Sequence, residues 1–490
     1  MRGPVNGLVC ARFGDGPTGD CGQQGERKLA ERADVILSGG TVITVDETRR
    51  VIRDGAVVFR GSDILAVGKR EDVEQRYEAV ETRDCRHKLI MPGLVNSHLH
   101  FYHTMHRGLA PEDLGGVLWS NYVHGNIATE LTPEDEIYGG LIILLETLKS
   151  GTTTYLEAGS YNPAAAIEGV SRIGMRGLMG RRSFDQSILG HSMLMEDTDT
   201  CLRENEAFLK TYRNGYNGGL LKACVDVVGQ GRCSDRLYVE SKKMADDYGT
   251  IFNLHLAAVQ EEVTATRART GYRPVEHLDS LGVLDTNVSL VHMIHCADRE
   301  IDMLARAGAN VIHCPSTALK LNYELSSKAR FPEMWARGVN VSIGGDASDC
   351  SNFADMIRVM YLAAVLPKDY RNDPAISYAE TAIEMATING ARAMGMADEI
   401  GSLEAGKRAD IIVLDMWRPE WVPNYSEIQN LVYSADGTSV ETVYINGRLV
   451  MDGRKVLTVD EDEIIEKCLD LSQRLLERSG VGVPGRWPVI

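Results

Sequence analysis

The chain has 490 residues, 44% hydrophobic and 25% charged, enough to bury a large core and more than one simple domain needs. Its 52 Lys and Arg stand against 69 Asp and Glu, a formal net charge of −17, and no basic cluster interrupts that balance, which speaks against nucleic acid as a partner. The ten cysteines are scattered without a C-x-x-C pair, so neither a disulfide framework nor a zinc ribbon is expected. No apolar run approaches the roughly 20 residues that span a bilayer, and "VNGLVCA" is too short and too weakly apolar for a signal-peptide core. The expected setting is the reducing cytoplasm, away from membranes.

Residues 1–33, with "GDGPTGDCGQQG", carry no periodicity and read as a flexible extension. From Ala33 the texture changes to short strands, "DVILSGGTVITVD", "GAVVFRGSDILAVG" and "KLIMPGLVNSHLH". It returns near the C-terminus in "ADIIVLD" and "VETVYINGRLVMDG". A sheet assembled from both chain ends, residues 34–90 with 405–455, accounts for that recurrence.

Between them, residues 91–404 alternate apolar runs with amphipathic segments. The runs are "GLVNSHLH", "TTTYLEAG", "MRGLMGRR", "LLKACVDVVG", "TIFNLHLA", "VSLVHMIH", "GANVIHCPS" and "VNVSIGGDA". Eight such strands with intervening helices predict an α/β chain folded as a (β/α)₈ TIM barrel. In "LTPEDEIYGGLIILLETLKSG", Thr132 can cap a helix, Pro133 suits its first turn and acidic residues favour its N-terminal dipole. Ile137, Leu141, Leu144, Leu145 and Leu148 then form one apolar stripe, and Gly151 can end the helix. Residues 456–490 hold a last amphipathic helix, about 460–478, with Ile464, Ile465, Cys468, Leu469, Leu475 and Leu476. It can pack on the body or serve a subunit contact; a homo-oligomer is expected.

In a barrel of this kind reactive groups collect at the C-terminal strand ends. The ends of four runs carry His98 with His100, His255, His292 and Asp346. Imidazoles and a carboxylate suit one divalent transition metal, zinc foremost, with iron, manganese or cobalt as alternatives. Histidines two apart on a strand share a face, so His98 and His100 can reach the same ion.

The stretches "MPGLVNSHLH", "NLHLA", "LVHMIHCAD", "HCPSTALKL", "GVNVSIGGDAS" and "MATINGARAMGMADEIGSLEAGKRADIIVLD" resemble the amidohydrolase superfamily. The nearest branch is the one holding atrazine and triazine hydrolases, cytosine and guanine deaminases and S-adenosylhomocysteine deaminases. The resemblance spans residues 34 to 455. It implies a metal-dependent barrel with a small composite β-sandwich domain, a metal held by His98, His100, His255 and Asp346, and a His292 that hydrogen-bonds the nucleophilic water or the substrate. Asp346 would serve as ligand and base, taking the hydroxide proton as attack occurs; His292 would steady the developing oxyanion. Binuclear relatives add a carboxylated lysine on the fourth strand, but Lys222 lies near the start of its run and should face away.

Other residues near the expected mouth have two readings each. His103 and His106 either line the substrate pocket or sit exposed on a loop, and Trp119 is either pocket wall or packing. Glu157 is either a carboxylate at the mouth or a partner of a ligand histidine, and His313 is either structural or pocket-lining.

One departure bears on the reaction. Relatives in this branch carry a glutamate three residues after the metal histidine, which protonates a ring nitrogen; here that position is Ala258. A second departure is Ala318, where relatives often have Asn. Two small residues suit a bulky, largely apolar substrate. The reading that follows is hydrolysis of a C–N or C–S bond beside a carbonyl in a small urea, amide or (thio)carbamate, as in the phenylurea and molinate hydrolases that resemble this branch. The alternative is deamination or hydrolytic dechlorination of a triazine, pyrimidine or purine ring. A metal-free scaffold is a third expectation, which retention of all five site positions opposes.

Overall fold

The computed structural model describes residues 30–189 and 193–488; the extension expected at the N-terminus lies outside the described residues up to residue 29. Barrel strands follow in the expected order: Leu94–His100, Thr152–Ser160, Arg176–Arg181, a fourth in two pieces (Leu221–Ala223 and Val225–Gly229), Phe252–Leu256, Val288–His292, Asn310–His313, and an eighth in two pieces (Val341–Ile343 and Asp346–Ala347). All pairings between them are parallel. Parallel strands covered by helices are buried on both faces, which is why they read as continuous apolar runs rather than as alternation.

The cylinder closes through its two broken strands. Leu221–Ala223 pairs with the third strand and Val225–Gly229 with the fifth; Val341–Ile343 pairs with the seventh and Asp346–Ala347 with the first. Gly344 and Gly345 make the second break. The Asn96 carboxamide oxygen spans it, accepting from the N–H of His98 at 3.3 Å and of Gly345 at 3.0 Å. The breaks let strands four and eight turn their last residues toward the barrel mouth.

Both chain ends build one nine-stranded sheet. Ile411–Asp415 runs antiparallel to Lys88–Pro92, with Ile412 opposite Met91. The long strand Glu31–Ile43 pairs in parallel with Tyr77–Asp84 along its first half and with Lys88–Pro92 further on. Val35, Leu37, Val57 and Phe59 pack there with Ile411, Val413 and Tyr444, so apolar burial joins segments that lie far apart in sequence. Since this strand starts at Glu31, the last residues of the stretch read as an extension belong to the sheet. The helix Arg70–Arg76, with Val73 buried, interrupts what the sequence presents as purely β texture.

The helix Pro133–Lys149 begins with a capping box: the Thr132 hydroxyl accepts from the Asp135 N–H at 3.2 Å, and the Asp135 carboxylate accepts from the Thr132 N–H at 2.7 Å. The last helix, Glu461–Ser479, packs on it, burying Ile464, Leu471 and Leu475, each worth about 1.5–3 kcal/mol. Ion pairs from Lys467 to Glu134 (2.8 Å) and Arg478 to Asp135 (2.5 Å) fix its position. Of the two expectations for this helix, packing on the body is the one observed. No described helix is long and apolar enough to cross a membrane.

Candidate active site

Four strand ends bring the five predicted residues together. His98 Nε2 lies 3.5 Å and His100 Nε2 3.8 Å from Asp346 Oδ1, and His292 Nδ1 lies 3.9 Å from Asp346 Oδ2. The His98 ring centroid is 4.7 Å from that of His100 and 4.8 Å from that of His255. One ligand atom each from His98, His100 and His255 falls within 4.8 Å of the others. His255 Nδ1 faces the Val228 carbonyl oxygen at 3.0 Å; donating there leaves Nε2 bare, the tautomer a metal ligand needs. The backbone turns left-handed at His292 (φ 77°) and Asp346 (φ 62°), a conformation uncommon outside glycine and typical of reactive positions.

Close approach is secured by glycine at two places. A Cβ on Gly344 would sit 2.7 Å from the His98 Cβ. One on Gly229, at φ +72°, would meet the His255 carbonyl oxygen at 2.0 Å. Neither position accepts a side chain without moving a site histidine.

Burial decides the charge state. It pushes the imidazoles of His100 and His255 well below their ordinary range, helped by the neighbouring rings, and His292 down to about 4. Burial opposes ionisation of Asp346, but the facing imidazoles of His98, His292 and His100 hold its carboxyl well below the usual carboxylate range. At neutral pH His100, His255 and His292 are therefore neutral and Asp346 is a carboxylate. Both ring nitrogens of His98, Nδ1 of His100 and of His292, and Oδ2 of Asp346 are buried without a hydrogen-bond partner. Donors of this kind, dry and unsatisfied, fit a divalent transition ion.

A cavity with about 670 Å³ of empty space, its open mouth included, lies over these groups. His103 and Trp119 line it, their rings stacked at 5.6 Å. The other residues assigned to the pocket are elsewhere among the described residues. His106 shares the buried turn Tyr102–His106 with His103, so neither is exposed on a loop; its Nδ1 faces Asp349 Oδ2 at 3.2 Å. Glu157 is fully buried in its strand, and burial together with the charges of Glu136 and Asp226 pushes it well above the usual range. His313 lies against Phe331, ring centroids 3.8 Å apart, and burial pushes it to about 3. Ala258 follows the left-handed Ala257 (φ 51°). Its N–H donates to the Glu262 carboxylate at 3.0 Å, and its neighbour Val259, rather than Ala258 itself, lines the cavity. Ala318 is buried in the helix Pro315–Lys320, below Tyr323, which does reach the cavity. Lys222 lines a separate cavity with Gly249, Asn287 and Met394, away from the site, as expected.

The walls also correct the expectation of an apolar pocket. Ser120, His124, Arg182, Gln230 and Arg232 line the cavity beside the site histidines. The Arg182 guanidinium lies 5.8 Å from the Tyr102 ring and 5.3 Å from the Tyr161 ring. Arg232 donates to Ser120 Oγ at 3.1 Å; burial and nearby Arg182 lower it to about 10. These arginines carry a legible signal, since Arg182 follows directly on the third strand and Arg232 comes just after the fourth.

Imidazoles and one carboxylate at the mouth of a closed parallel barrel define a metal-dependent hydrolase. The chain belongs to the amidohydrolase family, whose model matches residues 89–450. It is 32% identical over 449 residues, 91% of this chain and 98% of the relative, to 5-methylthioadenosine/S-adenosylhomocysteine deaminase 1 of Syntrophus aciditrophicus. It is 32% identical to a 5'-deoxyadenosine deaminase of Methanopyrus kandleri, over 90% of this chain and 99% of the relative. Among solved structures, an adenosine deaminase from Xanthomonas campestris with bound zinc matches at a TM-score of 0.85 and 27% identity, covering 92% of this chain and 100% of that one. Atrazine chlorohydrolase from Arthrobacter aurescens complexed with zinc shares the fold at a TM-score of 0.83 and 23% identity, covering 89% of this chain and 100% of that one. The protein is thus a hydrolase of non-peptide C–N bonds that acts on a small molecule, and its catalytic cofactor is one divalent metal ion, zinc.

Proposed function

We propose that the protein deaminates an amino-substituted purine ring, with nucleosides of the adenosine type as its substrates. The observation that carries this reading is the likeness, over nearly the whole chain, to relatives named as deaminases of adenosine derivatives. The cavity supports it. Ser120, Gln230, Arg182 and Arg232 turn polar groups to its walls, a lining that suits a polar ring and sugar better than a phenyl or alkyl group.

His98, His100, His255 and Asp346 would hold the ion. When bound, a divalent ion lowers the pKa of water from 15.7 to about 7 and so makes a nucleophile available at neutral pH. Asp346 accepts the proton that the nucleophile sheds, since facing imidazoles keep its carboxylate ionised, and returns it to the amino group, which departs as ammonia. His292, neutral and 3.9 Å from Asp346, orients the attacked face and the departing amine. His103 and Trp119 wall the ring's edge.

A second reading rests on Ala258, which stands where the resemblance to this branch implies an acid that protonates the ring nitrogen. Hydrolysis beside the carbonyl of a urea, amide or carbamate needs no such acid. The decisive assay incubates zinc-loaded protein with adenosine, 5'-deoxyadenosine, 5'-methylthioadenosine and S-adenosylhomocysteine, and in parallel with a panel of ureas, amides and carbamates. Ammonia released from an aminopurine is the expected result. Amine released from the carbonyl panel, with no ammonia from any aminopurine, overturns the proposal in favour of the second reading.

A further inference from the structure

Beside His100, the fold gathers a second set of ligand-type side chains, none of which the proposed chemistry uses as a metal ligand or to move a proton. His103 and His106 sit on the turn Tyr102–His106, and Asp349 follows the last barrel strand. His103 Nδ1 lies 3.0 Å from Asp349 Oδ1, and His106 Nδ1 lies 3.2 Å from Asp349 Oδ2. One ligand atom from each of the three falls within 4.8 Å of the others, the same closeness that His98, His100 and His255 show. All three side chains are at most 3% exposed.

The pairs are close but badly aligned for hydrogen bonds. Both Asp349 oxygens, Nδ1 of His103 and both ring nitrogens of His106 are buried without a partner of acceptable direction. The site groups around Asp346 carry the same signature. A carboxyl group buried in a dry interior needs a charge or hydrogen-bond partner of good geometry, and an ion shared by the three side chains supplies it. No residue of this trio is among the four that would hold the catalytic zinc.

We propose that His103, His106 and Asp349 form a second divalent-cation site, distinct from the catalytic one. Two imidazole nitrogens and a carboxylate oxygen select a first-row transition ion such as zinc, cobalt or nickel over magnesium or calcium, which take oxygen ligands. Three protein ligands leave a coordination position for water or a small ligand, as in open zinc sites. His103 also lines the substrate cavity, so the second ion brings positive charge to that wall.

The test is zinc stoichiometry on the full-length protein, stripped with chelator and re-equilibrated in a zinc buffer of micromolar free concentration, with bound zinc measured by mass spectrometry. Two zinc ions per chain are expected for wild type. Asp349→Asn, which keeps the side-chain shape, and His106→Gln should each bind one, while His255→Ala loses the other and keeps this one. Anomalous diffraction at the zinc edge should place the second peak among the three side chains. Wild type saturating at one zinc overturns the proposal and assigns a proton on His103 or His106 as the balance to Asp349. Two zinc ions retained in both Asp349→Asn and His106→Gln overturn it equally.

Discussion

Gly344 lies so close under His98 that a β-carbon added to it would stand 2.7 Å from the His98 Cβ and 2.9 Å from the His98 carbonyl oxygen. The eighth strand can press against the first only because this residue has no side chain. Gly344→Ala should therefore push His98 off its ligand geometry and cost about 1–3 kcal/mol of stability, as overpacking does. Zinc content and thermal unfolding read both effects. A variant with full zinc and an unchanged melting temperature would show that the two strands separate more freely than the packing implies.

The ligand set and the orienting histidine should part company under mutation. His98→Ala and His255→Ala are expected to lose zinc and turnover together, and Asp346→Asn to lose turnover. His292→Ala should keep its zinc while kcat falls by about 10²-fold or more, because its contribution is made in the transition state. Equal loss of metal in that variant would move His292 into the ligand set.

Ala258→Glu returns a carboxyl to the position of the ring acid. On the deaminase reading, kcat/KM for an aminopurine should rise by about tenfold or more, a fraction of the 10² to 10⁴ that a well-placed acid contributes. No gain on any aminopurine, alongside wild-type turnover of a urea or carbamate, would favour the carbonyl chemistry instead.

His313 supplies a pH signature. Burial depresses its pKa to about 3, while the unfolded chain titrates near 6.5. Its neutral form is therefore free of penalty above pH 6.5, and stability is lost as pH falls from there, because the unfolded state takes up the proton first. Relative to His313→Asn, wild type should lose about 2 kcal/mol on going from pH 7 to pH 5. Parallel denaturant titrations of the two proteins measure it; a difference that stays flat with pH would mean that the imidazole titrates alike in the folded and unfolded states.

Much of this architecture is legible in the chain because each buried parallel strand announces itself as an apolar run, and because ligands must sit where runs end. His98, His100, His255, His292 and Asp346 stand at run ends by that logic, the resemblance to the amidohydrolase superfamily singles them out from other run-end residues such as His313 and Glu157, and the closeness of the five in space agrees with it. The pocket walls are less legible. Ala258 and Ala318 look like a cleared apolar pocket in sequence, but both are buried away from the lining, and the space is walled by Arg182, Gln230 and Arg232 from neighbouring strand ends. Which side chain reaches a cavity depends on backbone turns such as the left-handed Ala257, and no periodicity encodes those. Nor does it encode the breaks in strands four and eight, the second of which falls at Gly344 and Gly345 and is tied to the first strand by Asn96. His103 and His106 lie just past the first strand, where sequence alone leaves pocket wall and exposed loop both open; the short turn that holds them is buried against Asp349, which follows the eighth strand.

The pairing of Lys88–Pro92 with Ile411–Asp415 also sets a timetable for biosynthesis. Lys88–Pro92 runs almost directly into the strand carrying His98 and His100, yet its partner leaves the ribosome only after the entire barrel has been translated. Until then one edge of that strand is unpaired, an invitation to intermolecular association. Contacts of such long sequence separation also close slowly. A nascent chain halted before residue 411 should accordingly be held by chaperones or aggregate, even though every proposed metal ligand has already been made.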